Sequence, residues 1–475
     1  MQDYRPLMKK PTLFVSLIPV IVLVCVIFTC VKIFGDEVTA GPSQIALLSV
    51  AVLAFIIGRI FYDLTWDKSE KAMMTHLKNT GPAILILLAI GALSGSWMNS
   101  GIIPSMIYYG LKFIHPAIFL PLVFILCSAI SLVTGSSWST VGTFGVALLG
   151  AGQMMGLPVP WLAGAIISGS YFGDKMSPLS DTTNLASSFC GVPLFKHIGY
   201  MLYNTVPVFI ISLIIYIIAG FALPADNTPD IGAQLSAIKE TYTISPWLLL
   251  IPLITILMVV RKIPPFITLF VAAAVGAVVA VIIQPGVCSA IAPNGFAAAI
   301  RMISGSVNIQ TGNEILNNLT STKGMAGMLN TVWLILCVVA FAGVMTASGM
   351  IRVITEQLVK LMQNTLSTVA STLGTCIFFN MTLGDQYMAI ILPGNMFSES
   401  YKKQGYAPEL LSRTIEESAT VTSVLVPWNT CAVAQSTVLN VATLTYLPYC
   451  FFNLITPLFS LFAAAIGYKI RKLTN

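Results

Sequence analysis

Long apolar runs alternate with short polar connections along most of this chain. Runs near the roughly 20 residues that cross a bilayer predict spans at 13–31, 45–62, 82–97, 198–221, 246–260, 266–283, 328–348 and 446–468. The charged stretch Asp63, Asp67, Lys68, Glu70, Lys71, Lys78 predicts a loop, 225–243 a polar external linker, and 284–327 a mixed external stretch. Two stretches, 116–153 and 366–398, are apolar on both sides of a polar centre. The first centre reads Thr134-Gly135-Ser136-Ser137-Trp138-Ser139-Thr140 and the second Asn380-Met381-Thr382-Leu383-Gly384-Asp385-Gln386. Each fits either two full spans or a re-entrant hairpin with the centre as its tip.

Each centre is followed by an apolar segment with a polar break. The first break lies in Tyr171-Phe172-Gly173-Asp174-Lys175-Met176-Ser177-Pro178-Leu179-Ser180-Asp181-Thr182-Thr183-Asn184, and the second, within 408–444, carries Glu416, Glu417, Pro427, Trp428 and Asn429. A lone charge at bilayer depth costs roughly 2.5–3.5 kcal/mol on insertion scales. Pro178 cannot donate a backbone hydrogen bond and Gly173 weakens a helix. Broken helices are tolerated at membrane depth where they are buried in protein or line a cavity, and transporters use them to build ion sites.

Composition sharpens the class. Of 475 residues, 56% are hydrophobic and 9% charged, against about 25% charged in soluble proteins. The fold class expected is an all-α polytopic membrane protein with inverted repeats, re-entrant hairpins and broken helices: ten full spans and two hairpins, both termini cytoplasmic. The net charge of +6 is no nucleic-acid signal, because the basic residues sit in short loops and at the termini. Arg5, Lys9 and Lys10 precede an apolar run too long for a signal peptide, so a retained first span is expected. The nine cysteines show no metal-binding spacing. His76, His115 and His197 fall in predicted loops and default to surface roles, and the sequon Asn318-Leu319-Thr320 carries little weight.

The two halves share one register. Pro178 and Pro427, Asn204 and Asn453, and Gly135 and Gly384 are each 249 apart (427 − 178 = 249), while Ser100-Gly101 and Lys112 match Ser348-Gly349 and Lys360 at 248. Lys196-His197 opens its span from the side on which Lys469, Arg471 and Lys472 close the matching one, so the halves run in opposite directions. The domains expected are N-terminal scaffold spans at 1–80, repeat one at 81–222, linker and connecting spans at 223–327, and repeat two at 328–475. Inverted repeats recur in secondary transporters, with the site at the repeat interface.

Convergence of the hairpin centres and breaks would gather Asp174, Asp181, Asp385, Glu416 and Glu417 as ion-binding and proton-coupling carboxylates. Ser136, Ser137, Thr140, Thr182, Thr183, Asn184, Gln386, Asn429 and Thr430 would supply neutral oxygens, with Thr420 nearby. Such ligands suit a hard cation such as Na+. A buried carboxylate can hold either H+ or Na+, and competition between them yields exchange.

The motifs at 134–140 and 164–184, with Gly384-Asp385-Gln386-Tyr387, Leu411-Ser412-Arg413 and Pro427-Trp428-Asn429, resemble the NhaC-type Na+/H+ antiporter family over nearly the whole chain. The resemblance implies a bacterial inner-membrane, multi-pass antiporter in which a part built of hairpins and broken helices moves against a scaffold. Proteins similar to these include Na+-linked exchangers of malate and lactate, so organic-acid exchange stays open, with Lys175 and Arg413 as candidate partners for an anion. No enzyme is expected: Gly384-Asp385 is suggestive of an intramembrane aspartyl protease, but Thr382 breaks the G-x-G-D pattern. A channel leaves the carboxylates at both breaks unexplained. The partners expected are Na+, H+ and the lipid bilayer, with no nucleic acid and no cofactor; a homodimer is left open.

Overall fold

Proline, glycine and short polar caps punctuate the apolar runs into helices. The computed structural model describes residues 11–35, 38, 40–223, 231–311, 316–317 and 320–473. Arg5, Lys9, Lys10, Asn318 and Leu319, which entered the first-span and sequon readings, and 225–230 of the predicted linker lie outside the described residues. Among the described residues the secondary structure is helical apart from two isolated bridges, Val307 with Thr322 and Tyr406 with Lys472. Among the described residues, seven helices are long and apolar enough to cross a membrane, or up to ten if each of three bent pairs is one span. Outward-facing residues such as Phe14, Ile60, Ile218 and Ile282 are strongly exposed and apolar, as lipid contact requires.

Several connections are more ordered than hydropathy predicts. The charged stretch after the second span is a connection only at 63–65, where Asp63 ends the preceding helix in a left-handed conformation. From Asp67 on it forms the first turns of one 34-residue helix, Trp66–Asn99, where an acid complements the helix dipole. The expected linker holds a helix, Ile231–Thr241, and the stretch after 284 holds two, Pro285–Ile291 and Gly295–Ser304, bent by 72°. The last predicted span starts as a short helix and a tight turn, Thr443–Tyr446 and Leu447–Tyr449, before Phe451–Ala465. Two histidines are not at the surface: His76 is buried with Nε2 3.0 Å from Thr346 Oγ1, and His197 is fully buried. His115 caps the helix Pro116–Thr134.

Both apolar-polar-apolar stretches are helical hairpins. The first has arms Pro116–Thr134 and 137–154, the second Thr365–Thr382 and Gln386–Lys403. Left-handed glycines make the reversals: Gly135 at φ 69° and Gly384 at φ 61°. The next residue, Ser136 or Asp385, caps the returning arm by accepting from Ser139 N at 3.2 Å or Met388 N at 3.0 Å. In the first hairpin the arms lie antiparallel, and a Cβ on Gly152 would sit 2.9 Å from the Phe119 ring. Both tips are buried, which fits the re-entrant reading rather than two spans joined at a surface.

The repeat is a property of the backbone as well as of the sequence. Helices start at 116, 137, 159, 181 and 194, and again at 365, 386, 408, 430 and 443, each pair 249 apart (365 − 116 = 249). Left-handed residues follow the same shift: Gly156 and Gly405, then Gly191 and Asn440. Gly101 and Gly349, 248 apart, both start a helix from a left-handed conformation. One difference stands out. Leu194–Ala222 is a single helix, whereas its counterpart is interrupted at Leu447–Tyr449.

The chain divides into two compact units. One contains 1–81, 330–433 and 460–475; the other contains 82–329 and 434–459. In the second unit, Pro116–Thr134 and Val159–Met176 pack at backbone distance: a Cβ on Gly173 would meet Ser128 O at 2.5 Å. Tyr216 OH donates to Tyr449 O at 2.8 Å, with Ser168 Oγ 2.9 Å away, tying 434–459 into this unit. The Gly- and Ser-rich end of Trp66–Asn99 packs closely as well: Ser96 Oγ donates to Ala273 O at 2.5 Å and Trp97 Nε1 to Ala272 O at 3.1 Å. In the first unit, Gly343 packs on Met73, whose Cα would lie 2.8 Å from an added Cβ.

Candidate functional site

In repeat one the hairpin tip meets the break of the helix Val159–Met176. Ser177 sits in the extended region that a following proline imposes, and its Oγ accepts from Leu179 N at 3.1 Å to close the turn. Asp174, in the last helical turn, is the point of contact. Its Oδ2 accepts from Ser137 N at 3.0 Å and Ser137 Oγ at 2.7 Å, and its Oδ1 from Ser180 Oγ at 2.5 Å. Ser180 occupies the capping position of the helix Asp181–Phe189, yet its hydroxyl makes no capping bond. It is turned to Asp174 instead. Gly135 touches the same break, since an added Cβ would lie 2.6 Å from Leu179 C and 2.8 Å from Ser180 N.

The other predicted residues of repeat one fall into two groups. Thr182 and Thr183 are buried; Thr182 Oγ1 is 2.9 Å from Ser180 Oγ, and Thr183 Oγ1 donates to Lys175 O at 2.9 Å across the break. Thr140 Oγ1 donates to Ser136 O at 2.9 Å inside the tip. Asp181 and Asn184, by contrast, are exposed, and Asn184 Nδ2 donates to the carbonyls of Pro178 and Ser180 at 3.0 and 2.7 Å. Lys175 is fully buried, its Nζ 6.0 Å from the centre of the Phe452 ring. The buried Trp138 Nε1 and Ser139 Oγ have no hydrogen-bond partner among the described residues, so polar capacity remains at this tip.

In repeat two the tip carries its own carboxylate. Asp385 is buried at the start of Gln386–Lys403. Thr430 N donates to Gly384 O at 2.8 Å, which pins the start of Thr430–Leu439 to the tip. Gln386 Oε1 accepts from Ser423 Oγ at 3.3 Å. Asn429 Oδ1 caps Cys431 N at 3.0 Å while its Nδ2 reaches Asn380. Glu416 and Glu417 are fully buried and open a π-helical turn, Glu416–Thr420, a distortion common at functional sites. Glu417 Oε2 is 3.8 Å from Nε of the buried Arg413, and Glu416 Oε1 accepts from Thr420 Oγ1 at 2.9 Å.

Asp174 and Asp385 belong to different units, and among the described residues no three His, Cys, Asp or Glu side chains group to hold a metal ion. A cation held at either tip would therefore draw on hydroxyl, amide and carbonyl oxygens, the donors that hard ions accept. Ser180, Asn380 and Ser423 were missed as site residues. Ser180 and Asn380 lay inside quoted stretches, but nothing in the sequence told a hydroxyl aimed at a carboxylate from one capping a helix.

Two hairpins buried tip-first against broken helices, in one repeated register and with buried carboxylates at the junctions, define a secondary transporter. Residues 169–468 match the Na+/H+ antiporter family, and the chain belongs to that family. Relatives span its length. The Na+/H+ antiporter NhaC of Alkalihalophilus pseudofirmus is 32% identical over 464 residues, 98% of both chains. The malate-2H+/Na+-lactate antiporter of Bacillus subtilis is 34% identical, covering 93% of this chain and 92% of its own length. The arginine/ornithine antiporter ArcD of Halobacterium salinarum is 33% identical, covering 99% of this chain and 95% of its own. The protein is thus a multi-pass membrane antiporter and not an enzyme.

Proposed function

We infer that this chain exchanges Na+ for H+ across a bacterial inner membrane by alternating access, with the hairpins and broken helices as the transport part. The observation that carries the reading is Asp174, a buried carboxylate gripped by both the hairpin tip and the helix break. An ion that takes over Asp174 must loosen Ser137 or Ser180, so binding and tip movement are one event. Asp385 is the carboxylate of the second tip, at the repeat position of Ser136 rather than of Asp174. Ser136, Ser137, Thr140, Thr182, Thr183, Gln386, Asn429 and Thr430 supply neutral oxygens around the two junctions, while the exposed Asp181 and Asn184 suit ion entry better than ion holding. Glu417 is assigned to Arg413, which leaves Glu416 as the third candidate for proton coupling.

Proton competition fixes a sign. A protonated carboxylate has no charge to offer Na+, so apparent Na+ affinity weakens as pH falls. For one-for-one competition the apparent KM for Na+ rises roughly tenfold per pH unit once pH lies below the pKa of the site. The driving forces are modest: a tenfold gradient is about 1.4 kcal/mol, and 100 mV adds about 2.3 kcal/mol per net charge moved. The site must therefore release Na+ readily. Proteoliposomes with an internal pH dye, given Na+, Li+, K+, malate, lactate or arginine in turn, test the assignment. A proton flux driven by Na+ alone, with the stated pH slope, is expected. A flux seen only with an organic solute would shift the reading to solute exchange, for which the buried Lys175 and Arg413 offer positive partners.

A further inference from the structure

The shared register allows the two tip–break junctions to be compared atom for atom, and they are built differently. In repeat one, Ser131 Oγ donates to Ser170 O at 2.5 Å, and at the tip itself Asp174 accepts from Ser137 and Ser180. In repeat two, Asn380 stands in place of Ser131, Ala419 of Ser170, Ser423 of Asp174, Gln386 of Ser137 and Asn429 of Ser180, each 249 further on. No charge is left in this grip. Asn380 Nδ2 donates to Ala419 O at 2.8 Å, repeating the Ser131 bond, and also to Thr422 Oγ1 at 3.0 Å. Asn429 Nδ2 donates to Asn380 O at 3.1 Å and Oδ1 at 3.2 Å. Trp428 Nε1 donates to Met381 O at 2.6 Å. Gly173 and Leu179 occupy the places of Thr422 and Trp428 in repeat one, and neither side chain can form a hydrogen bond.

Both amide hydrogens of Asn380 are used and its oxygen accepts from Asn429, so the pair is internally satisfied and fully buried. Such a network rigidifies its surroundings, and none of its bonds is one a transported cation has to displace. We propose that Asn380 is the positioning residue of the second junction. It rivets hairpin two, and with it Asp385, onto its broken helix. Hairpin one packs closely along its arm, but its tip meets the break through a carboxylate that an ion can claim, and it is the tip released during transport. The proposal rests on the antiport reading for its transport consequences, but not for its structural ones.

The test uses single cysteines at equivalent tip positions, Thr134→Cys and Leu383→Cys, in an active cysteine-depleted background, with maleimide labelling in membranes. Thr134→Cys labelling should respond to Na+, and Leu383→Cys labelling should stay slow with or without it. Adding Asn380→Leu should speed Leu383→Cys labelling about tenfold and raise the apparent KM for Na+ about tenfold at little-changed Vmax, as loss of buried hydrogen bonds implies. Asn380→Ser, which restores the repeat-one residue and the bond to residue 419, should recover part of both effects. If Asn380→Leu fails to accumulate, Trp428→Phe removes one rivet and should still speed labelling. Unchanged labelling and KM in these variants, or a Leu383→Cys response to Na+ equal to that of Thr134→Cys, would overturn the proposal. Should the wild type move no Na+ at all, the antiport reading fails, while the ion-independent labelling still decides whether Asn380 is the rivet.

Discussion

Asp174→Asn is expected to extinguish Na+-driven proton exchange, by at least about a hundredfold, while the protein still folds and reaches the membrane. A hundredfold loss corresponds to about 2.8 kcal/mol, within the range for removing the charge from a buried, hydrogen-bonded group. Asparagine keeps the shape and one oxygen, so Ser137 can still dock and the tip stays in place. What it lacks is a group that carries a proton in one half of the cycle and a cation in the other. Asp174→Glu should keep partial exchange with a shifted apparent Na+ affinity, because charge is retained but its distance from Ser137 and Ser180 changes. The measurement is the initial rate of dye dequenching in proteoliposomes, with thermal stability of the purified variant as the folding control. Wild-type exchange by Asp174→Asn would leave Asp174 as a structural latch and no more.

The largest structural effect is expected from Gly173→Leu. A side chain here must enter space held by Ser128 O, at 2.5 Å from an ideal Cβ, and by Ser131 Cβ, also at 2.5 Å. Backbone on a neighbouring helix cannot move aside as a flexible side chain can. Overpacking alone typically costs about 1–3 kcal/mol, and here it also separates the two helices that present Asp174 and the tip. The variant should accumulate poorly and lose exchange. Gly199→Ala is the matched control: nothing lies within 4 Å of its added Cβ in the helix Leu194–Ala222, so it should be tolerated, with up to about 1 kcal/mol gained from helix propensity. Detergent-solubilised yield and melting temperature of the two variants check the contrast. Similar melting temperatures for both would mean that the close helix approach contributes little.

Much of this architecture could be read before any coordinates. Apolar run length located the membrane helices because lipid imposes it, and Gly135, Gly384, Pro178 and Pro427 marked the reversals and breaks because few residues suit those conformations. The register followed from the same residues. Hydropathy misread the start of Trp66–Asn99, since Asp67, Lys68 and Lys71 are polar yet good enough helix formers to continue a helix into water. It also placed His76 and His197 at the surface, because burial of a polar ring depends on what packs around it, and Thr346 lies 270 residues from His76. The site was legible as a set of residue types but not as a set of bonds. Ser180 diverted from capping and Asn380 gripping Asn429 are facts of packing that spacing along one segment does not show, whereas Glu417 beside Arg413 is an i,i+4 pair whose burial alone was hidden.

Equal cassettes invite recutting. Residues 116–191 and 365–440 begin at matching helix starts and end at matching left-handed residues, Gly191 and Asn440, with no insertion between them. That is the pattern left when a gene segment duplicates and afterwards changes only by substitution. It also means that a chimaera carrying either cassette in both places needs no linker redesign: every turn keeps its length. Such a protein would have two identical junctions, either both with the Asp174 grip or both with the Asn380 rivet, and so would separate what the scaffold contributes from what the divergence of its halves contributes.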